Sequence, residues 1–484
     1  MDFAFDSAVE LAARIRRRKI RCIDLLEHYL DRVHRYNGDL NAICVFDLPA
    51  AKKRARAADK AVAKGAALGP LHGVPMTVKE SFDVAGLPTT WGRPDMKKNI
   101  AASNAVAVDR LLAAGANVFG KTNVPVMLAD WQTFNPVYGT TSNPWDHTRV
   151  PGGSSGGAAA ALAAGLTGLE IGSDIGASIR DPAHYCGVYG HKPTYGVCAS
   201  DGHRLPPFDT ANDIGVIGPL ARSAKDLEVA LSAIVGTAGA DAAGWQVTLP
   251  PAPRRTWKQW RVAVLTTAPT APVDRAVQAR IQAVAEFAAS RGAKVSDKAR
   301  PDIALAEAHR VFIHLLRSAT SRSMTDETFE RFATRAKRVD PAATDYVSWM
   351  LTGCTLSHRD WLLLDEARHR MMNAWADFFR DWDVLLCPAA ATTAFPHNQT
   401  GERWERMVMV NGKPQPSTTQ MFWAGYSGLA HLPSTVAPAG LARDGLPVGV
   451  QIVGPKFGDY TCIAFAAMLE REFACFTPPP TYAG

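Results

Sequence analysis

Residues 152–178 read GGSSGGAAAALAAGLTGLEIGSDIGAS. The glycine-rich loop Gly152 to Gly157 runs straight into an alanine-rich block. Alanine loses least on entering a helix, so a helix is predicted over about Ala158 to Ala164. The apolar run Leu166 to Ile171 predicts a strand, and Asp174 to Ser178 a turn. Paired glycines let backbone approach a ligand closely at the first turn of a helix. A flexible linker has a similar composition, but linkers seldom lead directly into a helix-forming block inside a compact domain.

The same texture extends to both sides. From Leu71 onward, short apolar runs are split by Gly and Pro, with a second helix predicted from about Ser103 to Ala114. Upstream, residues 7–66 read as helical: Ser7 and Glu10 form a capping-box pattern, and Ile23, Leu25, Leu26, Tyr29, Leu30 and Val33 recur at helical spacing. Downstream, residues 300–382 are helical and carry Trp349, Trp361, Trp375 and Trp382. Strands are predicted at Val384 to Leu386, around Ser434 to Val436 and over Val448 to Val453, the last two joined by a turn holding Asp444 and Gly445. Such alternation predicts an α/β fold, a single large domain over 1–484 whose central mixed, mostly parallel twisted sheet is covered by helices. Its core is expected at about 69–220, and the helices of 300–382 are expected to cover the substrate.

Composition narrows the functional classes. With 47% hydrophobic and 20% charged residues among 484, the chain has ordinary globular make-up and enough apolar mass for a large core. The net charge of +7 is dispersed, and the one dense basic stretch, Arg14 to Arg21, lies at the end of a predicted helix, where cations complement the dipole. No nucleic-acid partner is expected. Eight cysteines are scattered without a CxxC pair or a histidine cluster, which predicts free thiols and no metal site. The start at Met1, Asp2 and Phe3 lacks signal-peptide character, and no apolar stretch is long enough to span a bilayer, so a cytoplasmic protein without membrane attachment is expected.

Residues 115–122, GANVFGKT, satisfy the Walker A phosphate-binding pattern to the letter. A P-loop needs a strand before its first glycine and a helix after its lysine. Here a helical segment comes first, Val118 and Phe119 are strand-like within the motif, and Val124 and Pro125 follow Lys121. Nucleotide binding is therefore a remote alternative.

Three reactive side chains share one setting, a strand end or a glycine-rich turn. Lys79 closes the run Gly73 to Val78, where burial would disfavour its charge; the other reading is a surface pair with Glu80. Ser154 lies in the GGSSGG loop. Ser178 ends the turn after a strand, where backbone N–H groups can surround a carbonyl oxygen, although an ordinary tight turn has the same residues. His184, Cys186 and His191 nearby read as packing.

Taken together, GPLHGVPMTVKE (69–80), GKTNVP (120–125), NPWDHTRVPGGSSGGAAAA (143–161), GSDIGASIRDPAHYCGVYGHKPTYG (172–196) and GLPVGVQIVG (445–454) resemble the amidase signature family of serine hydrolases over most of the chain. The resemblance implies Lys79 as base, Ser154 as bridging serine held through a cis peptide with Gly153, and Ser178 as nucleophile. It further implies an oxyanion hole from the N–H groups of Ile175, Gly176, Ala177 and Ser178, with Ser155, Asp174 and Arg180 in support. No cofactor is implied. A lysine serves as base only when neutral, at a differential cost of roughly 4 kcal/mol near pH 7. Ala177 departs from the glycine usual in the family, and a left-handed alanine costs about 1–2 kcal/mol.

The implied reaction is hydrolysis of an amide or related C–N bond through an acyl-serine. Aryl or bulky amides and carbamates rank first, because Met127, Trp131, Phe208, Phe422 and Trp423 suggest an apolar or aromatic pocket. The rival within the fold is the glutaminase subunit of a tRNA-dependent amidotransferase. The expected partner is a small-molecule amide or carbamate, with a homodimer left open.

Overall fold

The computed structural model describes residues 3–483. Three helices open the chain, Ala8–Arg16, Cys22–Leu40 and Leu48–Ala63. The capping box is present at Ser7 and Glu10, whose side chain and backbone bond reciprocally. Leu25, Leu26, Tyr29 and Val33 are buried, as the helical spacing predicts. A strand, Ile43–Phe46, interrupts what reads as continuous helix. Its four residues are too few to show a period, and only pairing with Asn117–Thr122 defines it.

The main sheet has eight strands in the order Lys294–Ser296, Arg261–Val264, Val384–Pro388, Pro447–Val453, Ser434–Leu441, Tyr189–Lys192, Val216–Ala221, Glu170–Asp174. The protein is a single domain with this large mixed sheet flanked by helices. The balance of directions differs from the expectation: only the pairs among the first three strands are parallel, and every later pair is antiparallel. One of these pairs, Ser434–Leu441 with Pro447–Val453 at the centre, is a hairpin, whose short connection forces its strands antiparallel.

A second sheet carries the lysine. Pro75–Lys79 runs parallel to Asn117–Thr122, which pairs antiparallel with Ile43–Phe46. This sheet is docked on the edge of the large one, because Gly168 N–H donates to the Pro75 carbonyl at 3.0 Å and Thr77 N–H to Thr167 Oγ1 at 2.9 Å. Lys79, the last residue of its strand, thereby reaches the C-terminal end of Glu170–Asp174.

The helix Gly156–Ala163 is buried at every position, and apart from Leu162 it is built only of glycine and alanine, which suits close packing on its neighbours. The helices Leu305–Ser321, Asp326–Ala336, Tyr346–Cys354 and His358–Asp381 occupy the region expected to be helical. Leu305–Ser321 contributes Val311, Phe312 and Leu315 to an apolar cluster with Ala177, directly over the loop that bears Ser178. Among the described residues no helix is long and apolar enough to cross a membrane.

Gly157 sets how closely this helix approaches the smaller sheet. A methyl group there would stand 2.5 Å from the backbone nitrogen of Asn123 and 2.6 Å from its carbonyl oxygen. Gly157→Ala is expected to lower the unfolding free energy by about 1–3 kcal/mol, as overpacking does. A denaturant titration with an unchanged midpoint would show that the helix is free to move.

Candidate active site

Lys79 is fully buried, and its Nζ lies 2.6 Å from Ser154 Oγ, 2.9 Å from Ser173 Oγ and 3.4 Å from the Ser173 carbonyl. No carboxylate of the described residues touches it. Burial pushes its pKa down to about 7 from the ordinary lysine value, against the opposing fields of Asp174, Asp181 and Glu170. The surface pair with Glu80 is not formed. Glu80 is itself buried and accepts from the N–H groups of Thr90 and Trp91 and from the Tyr138 hydroxyl.

Ser154 follows a cis peptide with Gly153, as the resemblance implies. The Gly153 N–H donates to Asp181 Oδ1 at 3.0 Å, and the Gly152 carbonyl accepts from Thr133 Oγ1 at 2.8 Å. Ser155 N–H donates to the Ser178 carbonyl at 3.1 Å, so the loop of one serine is tied directly to the loop of the other. Gly172 makes room for this contact, because a methyl there would meet Ser155 Oγ at 2.6 Å. Ser154 and Ser178 both face one cavity of about 540 Å³, with Lys79 behind them. That volume is typical of a small-molecule site.

The loop carrying Ser178 is held by a buried ion pair. Arg180 Nε donates to Asp174 Oδ2 at 2.9 Å and its Nη2 to Oδ1 at 2.8 Å. Arg180 Nη1 reaches the Ala424 carbonyl, Ser427 Oγ and Gln451 Oε1. Burial raises the Asp174 pKa, but the charge and hydrogen bonds of Arg180 outweigh it and leave the carboxyl below its usual value. Asp174 also accepts from the N–H groups of Ala177 and Ile179, each at 3.0 Å.

That arrangement corrects one expectation. The Ala177 N–H is already engaged by Asp174, so it is not free for an oxyanion, whereas those of Ile175, Gly176 and Ser178 have no acceptor among the described residues. Ala177 does adopt the left-handed conformation, with φ of 77°. Its methyl is fully buried in the apolar cluster that includes Ile214 and Val311. Burying that group returns roughly 0.8 kcal/mol, a sizeable part of the conformational cost.

Of the expected substrate-pocket residues, Met127, Trp131 and Phe208 line the cavity. Trp131 also donates from its indole to the Gly176 carbonyl at 2.8 Å, fixing the loop. Phe422 and Trp423 do not line it. They are core residues on the buried helix Met421–Gly428, and it is Met421 that faces the cavity. Ser173 is the contact that sequence reading missed; it lies on the same strand as Asp174, and only the packed geometry brings its hydroxyl to Lys79. His184 and His191 are packing groups, the first bonded to Gly449 and Thr392 and the second to Thr435 and Asp459. Lys121 is buried in the strand Asn117–Thr122, bonded to the Pro88 carbonyl and at 3.0 Å to Thr89 Oγ1. With the helix Val106–Ala113 before this strand, the GKT segment has the reverse of P-loop order.

The chain is similar to known proteins over nearly its whole length. Residues 24–463 match the amidase family. The chain is 33% identical to an indoleacetamide hydrolase of Bradyrhizobium diazoefficiens, over 96% of this chain and 86% of that one. It is 31% identical to a glutamyl-tRNA(Gln) amidotransferase subunit of Anaeromyxobacter, over 97% of each. Its fold matches the crystal structure of a bacterial aryl acylamidase of the amidase signature family with a TM-score of 0.82 at 24% identity, over 99% of this chain and 97% of that one. The chain belongs to the amidase family, whose members are hydrolases of C–N bonds in amides.

Removing Asp174 would leave the Arg180 guanidinium buried without a counter-charge. Asp174→Ala is expected to lower the unfolding free energy by about 3–5 kcal/mol in a denaturant titration. A loss below about 1 kcal/mol would show that the loop does not depend on the pair.

Proposed function

We propose that this chain cleaves an aryl or bulky amide, or a carbamate, through an acyl-ester on Ser178, with Lys79 as the base and Ser154 as the bridge. The observation that carries the reading is an amine with a pKa near 7, placed 2.6 Å from the hydroxyl of Ser154 and behind the cavity shared by Ser154 and Ser178. A serine hydroxyl is a weak nucleophile until a base takes its proton during attack. Neutral Lys79 accepts the proton of Ser154, Ser154 accepts that of Ser178, and Ser178 Oγ bonds to the carbonyl carbon. The negative charge on the carbonyl oxygen is met by the N–H groups of Ile175, Gly176 and Ser178, each worth about 3 kcal/mol in such a role. Ser155, Asp174 and Arg180 hold these groups in position. Collapse breaks the C–N bond, the departing amine takes a proton returned through Ser154, and water releases the acid by the same route. The core at about 69–220 supplies the chemistry, and the helices of 300–382 cover the substrate.

Two features support bulky or aromatic substrates: the cavity volume and the lining by Trp91, Met127, Trp131 and Phe208. The glutaminase reading rests on similarity to the amidotransferase of Anaeromyxobacter. Turnover of aryl amides by the purified chain, with glutamine left untouched, excludes it.

Ser178→Ala and Lys79→Ala are each expected to reduce kcat/KM for an aryl amide by more than about a thousandfold, while chelators leave the wild type unchanged. Retained turnover in Ser178→Ala would refute the nucleophile. Burial lowers the pKa of Lys79, so its neutral form dominates above about 7 and is depleted below it. The profile of kcat/KM should therefore climb with pH to a plateau above about 7 and be about tenfold below that plateau one unit lower. A flat profile between about pH 5 and 9 would contradict a lysine base.

A further inference from the structure

The wall of the cavity formed by the helices Leu305–Ser321 and Tyr346–Cys354 carries positive charge that the bond-breaking machinery does not use. Arg317 lines the cavity, is only 8% exposed, and has its guanidinium 5.3 Å from the centre of the Tyr346 ring. Its buried Nε has no hydrogen-bond partner, and no carboxylate of the described residues pairs with it. Arg403 lines the same cavity. Its Nη1 donates to the Ala129 carbonyl, its Nε is buried without a partner, and it too has no ion pair among the described residues. Burial lowers the pKa of Arg317, opposed by the charge of the Tyr346 hydroxyl and a hydrogen bond to it, with Arg403 adding repulsion.

The acidic residues that line the cavity do not compensate these two. Asp130 is bound to Arg406 at 2.6 Å, Asp174 to Arg180 at 2.8 Å, and Glu402 is exposed. A buried cation without a partner is costly, and a guanidinium is matched in shape and charge by a carboxylate. Stacking on Tyr346 accounts for the position of Arg317 but offers nothing to its Nε.

We propose that the substrate carries a carboxylate, held by Arg317 and Arg403. This deepens the amidase reading and rests on it.

The test uses two pairs of probes: glutaric acid mono-para-nitroanilide against pentanoyl para-nitroanilide, and para-acetamidobenzoate against para-methylacetanilide. In at least one pair the wild type should favour the carboxylate by about tenfold or more in kcat/KM, and Arg317→Gln should collapse that ratio mainly through KM, with Arg317→Lys retaining part of it. Arg403→Gln provides a second variant should Arg317→Gln fold poorly. Calorimetry on Ser178→Ala protein reads the same preference as affinity, without turnover. Selective binding of the carboxylate probe with no hydrolysis by the wild type would uphold the anion site while refuting the amidase reading. Equal kcat/KM and equal affinity within both pairs would overturn the proposal.

Discussion

The rest of the candidate site is arranged around a lysine amine that is fully buried and meets no carboxylate among the described residues. Lys79 Nζ ends a strand in the interior and finds two hydroxyls and a carbonyl, not a carboxylate. A lysine can be kept there only by giving up its proton readily, and that is the property a base needs. Docking of Pro75–Lys79 against the edge strand Glu170–Asp174 places the amine behind the serines and lets them face the cavity.

The serine loops are held by fixed charge and by close backbone packing. The Asp174–Arg180 pair satisfies both of its charges and also ties down two N–H groups of the loop. In the proposed mechanism this leaves three N–H groups for the developing oxyanion, with no reorganisation needed during reaction. Ala177 shows how a local cost persists when the surroundings offset it: its left-handed backbone is matched by a methyl buried against the covering helices. The same helices bring Arg317 to the cavity, so the element packed over the loop also lines the cavity.

Much of this was legible in the sequence because glycine and serine at strand ends have few uses. The loops of Ser154 and Ser178, the strand ending at Lys79 and the strands expected at Val384 to Leu386 and Val448 to Val453 agree with the structure, which extends the last two to Val384–Pro388 and Pro447–Val453. What was not legible depends on packing. The run before Lys79 leaves a surface pair with Glu80 open, because nothing local says that Glu80 turns toward the N–H groups of Thr90 and Trp91. Strand direction is invisible to a period of two, so the antiparallel pairs beyond the third strand could not be read from the apolar pattern. In a helix that is apolar on every face, such as Met421–Gly428, sequence cannot tell that Met421 faces the cavity while Phe422 and Trp423 face the core. Nothing local in the sequence marks Arg317, whose place at the cavity depends on the packing of its helix.

The central claim concerns the charge state of one amine, and nitrogen NMR of labelled lysine side chains observes it directly. The Lys79 resonance, assigned by its loss in Lys79→Met, must be separated from those of Lys121 and Lys192, whose pKa values burial also pushes down, to about 8 and about 7. The account predicts that Lys79 Nζ titrates in the folded protein with a midpoint near 7. A midpoint near the free-lysine value of about 10.4 would mean that the amine remains charged at working pH and cannot be the base.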